Sequence, residues 1–196
     1  MKIGLNFIAL PAQKGGGPFR YIQMMLKMIG QYDLPNCEFV IYKQRHIKNE
    51  YFEIPNGLNV RFIDVPSVGS GVKRILFEQT IFYKYLENCD VLYSYCTSLP
   101  LLARCKKVFT LHDVYYITTK QRYGWLQRTY LTMITILYCY CCDKILTVSK
   151  TMDFPFTDYY DNEMGARPVR YFLLFENMVS PDTLADIKSA TNALEM

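Results

Sequence analysis

The chain lacks the long apolar run that a membrane-spanning helix needs. Its longest such run, from Tyr130 to Cys142, stops at Asp143 and Lys144, short of the roughly 20 residues that cross a bilayer. Strong charge is missing as well: the net charge of +4 at pH 7 favours anionic small molecules or acidic surfaces but falls short of a nucleic-acid-binding protein. We therefore expect a globular chain in which this run forms a buried or interfacial helix.

Cysteine and histidine patterns typical of disulfide-bonded or metal-binding folds are also absent. The seven cysteines are irregularly spaced and no secretory signal precedes the opening segment, so we expect a reducing, cytoplasmic compartment. Cys139, Cys141 and Cys142 lie in a helical pattern without a nearby histidine, which predicts core thiols and no metal site. A solvated loop is predicted for the basic run of Lys43, Arg45, His46 and Lys48.

Short apolar segments alternate with helical patterns over the first 149 residues. Six segments read as strands, at 2–9, 37–42, 58–65, 90–95, 107–112 and 144–149, and several are continuously apolar, as strands covered on both faces are. Helical periodicity predicts helices over 18–31, 72–88 and 123–142, the second with Val72, Ile75, Leu76, Phe82 and Leu86 on one buried stripe. This order predicts an α/β fold with a doubly wound, mostly parallel, Rossmann-like sheet.

The pattern changes after Ser149, which makes residue 150 the predicted domain boundary. Residues 151–196 lack a clear period at first, then offer a strand in VRYFLLFEN and a terminal helix. Ser180 would cap that helix and Pro181 would occupy its first turn. We therefore predict a Rossmann-like domain over 1–150 and a short tail over 151–196 that ends in a helix.

A run of three glycines follows the first predicted strand. Gly15, Gly16 and Gly17 stand directly before a helix, and in a doubly wound sheet this first loop usually contacts the ligand. Glycine permits positive φ and close approach of a ligand to the backbone, while the helix start offers unpaired N–H groups to a phosphate. The loop predicts phosphate binding, and an ordinary turn is the alternative.

The two familiar nucleotide motifs are both missing. A dinucleotide fingerprint needs a third glycine where Arg20 stands and an acidic residue where the second strand ends at Lys43 and Gln44. A Walker loop needs Gly-Lys followed by Ser or Thr, which the chain does not have. The nature of the nucleotide is therefore left open by the motifs.

His112 and Asp113 follow the predicted strand that ends in TLHD. The carboxyl ends of parallel strands meet at one edge of a sheet, so we expect His112 on the same edge as the glycine loop. A neutral imidazole there can donate to a sugar hydroxyl or a phosphate oxygen, and capping of nearby backbone is the alternative. Asp113 would either orient His112 or cap the next turn.

Four segments in order resemble one known family. GGGPFRYIQMML, the helical FEQ at 77–79, the strand ending TLHD and the strand ending TVS at Ser149 are similar to the amino-terminal domain of retaining GT-B glycosyltransferases of family 4. The resemblance covers residues 1–151. It implies transfer of a hexose from a nucleotide-sugar to a glycan or lipid-linked acceptor, with retention and without a required metal or other cofactor.

The same resemblance assigns roles to individual residues. Gly15, Gly16 and Gly17, with Arg20, would lie beside the donor phosphates and the acceptor. His112 would contact the donor sugar and stabilise the charge that builds on its ring, and Asp113 beside it is a second catalytic candidate. Glu78 would have either a packing or a catalytic role, and Ser149 is a further candidate.

A complete family member has a second doubly wound domain that binds the donor nucleotide. Only 47 residues follow Ser149, fewer than the roughly 100 that such a domain needs, so we expect a truncated relative. Glu163, in EMGARPV, would be either a remnant of the donor-binding glutamate or an exposed loop residue.

Three further expectations follow. A second subunit would supply the donor domain, or else the chain is a non-catalytic binding or scaffold module. An NAD-dependent oxidoreductase is disfavoured by Arg20 and Lys43. Peripheral contact with the inner membrane face would use a patch of aromatic and basic residues, namely Tyr115, Tyr116, Tyr123 and Trp125 with Lys120 and Arg122 between them. The alternative is that these aromatic side chains are ordinary core and loop residues.

Overall fold

The computed structural model describes residues 1–11, 14–96, 98–112, 116, 124–147 and 171–173. The chain divides into two compact units, one of residues 1–109 with 135–143 and the other of residues 110–134 with 144–196. The boundary predicted at residue 150 and the terminal helix predicted from Ser180 both lie outside the described residues.

A parallel sheet forms the centre of the first unit. Its strands are β1 (Lys2–Asn6), β2 (Glu38–Gln44), β3 (Val60–Val65), β4 (Val91–Ser94) and β5 (Lys106–Leu111), hydrogen-bonded in the order β3-β2-β1-β4-β5. Every neighbouring pair among them is parallel. In the second unit β6 (Lys144–Thr147) pairs in parallel with β7 (Tyr171–Leu173). The α/β, Rossmann-like fold predicted from the sequence is confirmed, and the seven strands of the described residues fall within predicted segments or extend at most two residues beyond them.

Three helices are described: α1 (Gly16–Ile29), α2 (Val72–Thr80) and α3 (Trp125–Cys141). The second is shorter than its predicted span of 72–88, because the chain leaves the α-helix after Thr80 and forms a 3-10 turn at Phe82–Lys84. Within the described parts of the chain, no helix combines the length and apolar character needed to cross a membrane.

The core of the first unit lies where β-strand and α2 side chains meet. Phe82 is fully buried and packs edge-on against Tyr42, with ring centroids 5.3 Å apart. The tight turn after α2 therefore contributes one of the largest core side chains. The cluster of buried residues comprises Ile8, Val40, Tyr42, Val65, Phe77, Phe82, Leu92 and Ala103.

The buried face of α2 differs from the predicted stripe. Val72 and Leu76 were expected inside, but their side chains are 72% and 58% exposed. Phe77 and Glu78 are buried in their place. The helix therefore turns the Phe77–Glu78 side toward the core, and the Glu78 carboxylate is accepted there because Arg74, Ser98 and Asn6 hydrogen-bond to it.

Lys43 is also inside, although the sequence predicted a solvated basic loop. Its ammonium donates to the Ile47 carbonyl at 2.7 Å and to the Asp64 carboxylate at 2.5 Å, and it lies 5.9 Å from the centre of the Phe62 ring. Lys43 belongs to β2 and is 2% exposed. The other three basic residues of the run follow the strand and are exposed, as predicted. A buried ammonium is tolerated only with such partners.

Replacing Asp64 with alanine is expected to lower the free energy of unfolding by about 1–2 kcal/mol, since it leaves the Lys43 ammonium with one acceptor fewer. Urea denaturation would measure this loss. Asp64→Asn keeps an acceptor oxygen and should lose about half as much. Equal losses for the two variants would show that packing of the side chain, and not hydrogen bonding to Lys43, sets the effect.

Candidate functional site

The strand order reverses beside β1, and that reversal marks a candidate binding edge. The chain runs from β1 to β2 and β3 on one side of the sheet and then returns to place β4 on the other side of β1. Ligands of doubly wound sheets bind at the carboxyl ends of strands at such a reversal. Asn6 and Ser94 are the last residues of β1 and β4 and stand opposite each other in register.

The glycine loop lies on this edge, after β1 and at the start of α1. Gly15 has φ 134° and Gly16 has φ 75°, conformations that residues with a Cβ rarely adopt. Gly17 has no positive φ, and a Cβ placed at Gly15 or Gly17 would meet no described atom within 4 Å. The loop is therefore open, and the third glycine is required neither by backbone conformation nor by packing within the described residues.

The start of α1 is suited to an anion. Gly15 occupies the N-cap position without a side-chain cap, and no acidic residue stands in the first turn. The first N–H groups of a helix have no partner within the helix, and the helix dipole favours negative charge there. Arg20 is the fifth residue of α1 and is exposed. Gly15, Gly16, Gly17 and Arg20 thus lie in one loop-to-helix segment, and their role toward a ligand stays a prediction.

Beneath the ends of β1 and β4 lies a buried polar cluster, which we define as Asn6, Arg74, Glu78, Ser94 and Ser98. The Asn6 amide donates to the Ser94 hydroxyl at 3.2 Å and to the Glu78 carboxylate at 3.5 Å. Its carbonyl oxygen accepts from the Ile8 N–H at 3.2 Å. The polar cluster therefore joins the end of β1 to β4 and to α2.

Glu78 is the centre of the polar cluster. The Arg74 guanidinium donates to its carboxylate at 2.8 Å, and the Ser98 hydroxyl donates to the same oxygen. Burial raises the pKa of Glu78, while Arg74, Ser98 and Asn6 act in the opposite direction. The side chain is 1% exposed. This geometry favours the packing role among the two roles left open for Glu78.

Its neighbour Gln79 holds the segment that follows β4. The Gln79 amide donates to the Leu99 carbonyl at 2.9 Å and its oxygen accepts from the Leu101 N–H at 3.2 Å. Phe77 packs into the core from the same turn of α2. The FEQ segment thus fixes the chain after β4 against the core, which explains all three residues without catalysis.

His112 directly follows β5 and is half-buried. Its position at a strand end is as predicted, and it belongs to the second unit. Its role toward a sugar stays a prediction. Asp113, Ser149 and Glu163 lie outside the described residues, as do Tyr115, Lys120, Arg122 and Tyr123 of the aromatic-basic patch. Of that patch, Tyr116 is buried and Trp125 is 76% exposed.

The cysteines near the end of α3 only partly match their predicted place in the core. Cys139 is buried, but Cys141 is exposed and Cys142 is half-buried, because consecutive helical positions face different directions. Among the residues the structure describes, no group of three or more His, Cys, Asp or Glu side chains is placed to hold a metal ion.

Sequence reasoning did not identify Arg74, Ser94 or Ser98 as parts of this site. One signal was present for Asn6, which is a polar residue at the end of an apolar strand. Arg74 also stands four residues before Glu78, the spacing of a helical ion pair. Burial of that pair beneath β1 and β4 depends on how α2 packs, which local spacing does not show.

Comparison with known proteins extends over part of the chain. A family model described as "Domain of unknown function (DUF4416)" matches residues 126–196. The matched range includes nearly all of α3 together with β6 and β7, little more than a third of the chain. A search of curated proteins finds no match. The glycine loop and the polar cluster lie outside the matched range.

Proposed function

We propose that this chain is a glycosyltransferase-like protein that binds the diphosphate of a nucleotide-sugar at the glycine loop. The observation that supports this most directly is the open, positive-φ loop of Gly15 and Gly16 at the point where the strand order reverses. The reaction would transfer a hexose to a glycan or lipid-linked acceptor with retention. It needs no metal if N–H groups and Arg20 supply the positive field.

The chemistry follows from the charge that moves during transfer. The bond from the sugar C1 to the diphosphate oxygen breaks, so negative charge grows on the diphosphate and positive charge grows on the ring. The uncapped start of α1 favours the negative charge. His112 would act on the sugar, a role that comes from the family resemblance, and the adjacent Asp113 would orient it; both roles stay predictions.

The proposal includes a partner that supplies a donor-nucleotide domain. A single Rossmann-like unit leaves a bound diphosphate in contact with water, which weakens electrostatic interactions. We place the protein in the cytoplasm, at the inner membrane face when its acceptor is lipid-linked. Mixed vesicles of acidic and neutral lipid would test that contact by flotation.

Isothermal titration with nucleoside diphosphates and their hexose conjugates is the direct test, with and without candidate partner chains. We expect binding in the micromolar to millimolar range to at least one of them, and a loss of about tenfold or more in hexose transfer for His112→Ala when a partner completes the enzyme. Failure of every nucleotide to bind, with every partner, would end the proposal.

One observation favours a different function, that of a non-catalytic module that binds a second subunit. Exposed apolar side chains recur along α3 at alternating spacings of four and three residues, at Leu126, Tyr130, Met133, Leu137 and Tyr140. That spacing is typical of a helix face that meets another helix. A His112→Ala variant that leaves the cellular glycan phenotype intact would favour this function over catalysis.

A further inference from the structure

Two cysteines meet at the edge of the sheet opposite the glycine loop. Cys89 stands two residues before β4 and Cys105 one residue before β5. These strands are parallel neighbours, with Val91 opposite Lys106, and the Lys106 N–H donates to the Asp90 carbonyl at 3.1 Å. The pairing of β4 with β5 therefore brings together two thiols that are 16 residues apart in sequence.

The two sulfur atoms are in direct contact. The Cys89 thiol donates to the Cys105 sulfur with 3.3 Å between the two Sγ atoms. The sulfur atoms of a disulfide lie about 2.0 Å apart, so the two Sγ atoms need to approach each other by little more than about 1 Å. A bond between these sulfurs requires little movement of the backbone.

The electrostatic surroundings favour one thiolate in this pair. The hydrogen bond from Cys89 lowers the pKa of Cys105 to about 7, and the Lys107 ammonium adds to this, whereas burial and Asp143 oppose it. Lys107 is held nearby by the Ala103 and Cys105 carbonyls, at 3.2 and 3.5 Å. The same thiol hydrogen bond and burial raise the pKa of Cys89.

Both thiols are reachable from solvent. Cys89 and Cys105 are half-buried and lie in the wall of a cavity of about 360 Å³. The remaining charged groups near this wall are Glu87, Arg104 and Asp90. Glu87 is itself neutralised by Arg61 and Lys2, so its negative charge does not oppose an incoming anionic disulfide as strongly as a free carboxylate would.

We propose that Cys89 and Cys105 form a dithiol site that undergoes reversible exchange with low-molecular-weight disulfides. The Cys105 thiolate attacks one sulfur of the external disulfide, forms a mixed disulfide and releases one small thiolate. Cys89 then attacks the Cys105 sulfur, releases the second small thiolate and transfers its proton to it. Two protein thiols are oxidised and one external disulfide is reduced to two thiols, so electrons and protons balance.

Oxidation would add a covalent link between β4 and β5 at their amino ends. The linked segment contains the residues after β4 that Gln79 holds and two members of the polar cluster, Ser94 and Ser98. A cross-link constrains the loop that it closes. Oxidised protein should therefore be more resistant than reduced protein to proteolysis within residues 89–105.

The test uses the full chain in glutathione buffers of stepwise increasing oxidised fraction, quenched with acid and mapped by mass spectrometry. We expect a mass loss of about 2 Da and a single bond from Cys89 to Cys105, reversed by excess glutathione. The tryptic peptide of residues 85–104 contains both Cys89 and Cys96, so fragmentation must locate the bond. Wild-type protein alone decides this outcome, whether or not the variants fold.

Single-cysteine variants separate the role of Cys105 as the attacking thiolate from the role of Cys89 as the thiol that resolves the mixed disulfide. Cys89→Ala should trap glutathione on Cys105 as a stable mixed disulfide. In Cys105→Ala, Cys89 should react with oxidised glutathione more slowly than Cys105 does in the wild type. Cys37→Ser is the matched control, a half-buried free cysteine elsewhere in the same unit, and should leave the Cys89–Cys105 bond unchanged. Two thiols that stay reduced, or that end as separate glutathione adducts in the wild type, would overturn the proposal.

Alkylation by iodoacetamide gives an independent measurement. The rate at Cys105 should reach half its maximum near pH 7, because the pKa of Cys105 is lowered to about 7 and the thiolate is the reactive form. In Cys89→Ala the midpoint should move up toward the ordinary thiol value of about 8.5. The same midpoint in both proteins would contradict the role of Cys89 as hydrogen-bond donor.

Discussion

Replacing Arg74 with methionine is expected to lower the free energy of unfolding by about 3–5 kcal/mol at pH 7. The Arg74 guanidinium contacts a carboxylate, that of Glu78, whose side chain is fully buried, and its own side chain is 15% exposed. Methionine fills similar space but leaves the Glu78 charge with only neutral partners, Ser98 and Asn6. Urea denaturation followed by circular dichroism would measure the loss.

This loss should depend on pH in a defined direction. Burial already raises the pKa of Glu78, and removal of Arg74 raises it further. A carboxyl group with a higher pKa in the folded state binds its proton more tightly when folded. The destabilisation that it causes is therefore absent below its unfolded-state pKa of about 4.3 and grows as pH rises toward its folded-state pKa. The deficit of Arg74→Met should therefore be smaller near pH 4.5 than at pH 8.

Two further variants make the measurement specific. Lys73→Met removes an exposed cation from the same helix and should change stability by no more than about 0.5 kcal/mol. Adding Glu78→Gln to Arg74→Met should restore about half of the loss or more, because the buried charge is gone, the amide oxygen can still accept from Asn6, and the amide NH2 can donate to the Ser98 hydroxyl. A double variant as unstable as Arg74→Met would mean that lost packing, and not the unpaired carboxylate, is the cause.

Replacing Gly17 with aspartate is expected to separate ligand binding from stability. A carboxylate in the first turn of α1 interacts favourably with the helix dipole, by about 0.3–1 kcal/mol, and the position needs neither positive φ nor a missing Cβ. At the proposed site the same charge faces a diphosphate, and repulsion at about 6 Å should weaken nucleoside diphosphate binding about 10- to 100-fold. Titration calorimetry and thermal melting would report the two effects.

Its controls address size and net charge. Gly17→Ala adds a methyl group without charge and should retain stability while losing less affinity than the aspartate variant. Gly124→Asp makes the same charge change at the start of α3, where the Gly124 carbonyl accepts from the Arg128 N–H at 2.9 Å. Gly16→Ala is unsuitable because its φ of 75° would itself cost about 1–2 kcal/mol. Equal affinity for wild type and Gly17→Asp would place diphosphate elsewhere.

The strands and helices were predictable because their signals are local. Apolar runs such as 37–42 and 107–112 correspond to β2 and β5 within two residues, since strands covered on both faces need continuous apolar character. The glycine loop was also predictable, because three glycines before a helix point to backbone conformations that other residues avoid.

The errors arose where burial depends on distant parts of the chain. Leu76 is exposed and Glu78 is buried on the same helix, which reverses the order that hydrophobicity alone predicts. Glu78 is tolerated inside because Asn6 and Ser98, 72 and 20 residues away, reach it across the end of the sheet. Lys43 is likewise buried because the Asp64 carboxylate, on a neighbouring strand, accepts a hydrogen bond from its ammonium and balances its charge.

By itself the sequence determined the Rossmann-like class, the position of the glycine loop and the strand that ends before His112, since each is set by the order of residues along a short segment. Only the tertiary structure decided the strand order, the burial of the polar cluster and the contact between Cys89 and Cys105. The physical reason is that these features depend on which strands become neighbours. Pairing of β1 with β4 and of β4 with β5 joins residues far apart in the chain, and no local pattern encodes that choice.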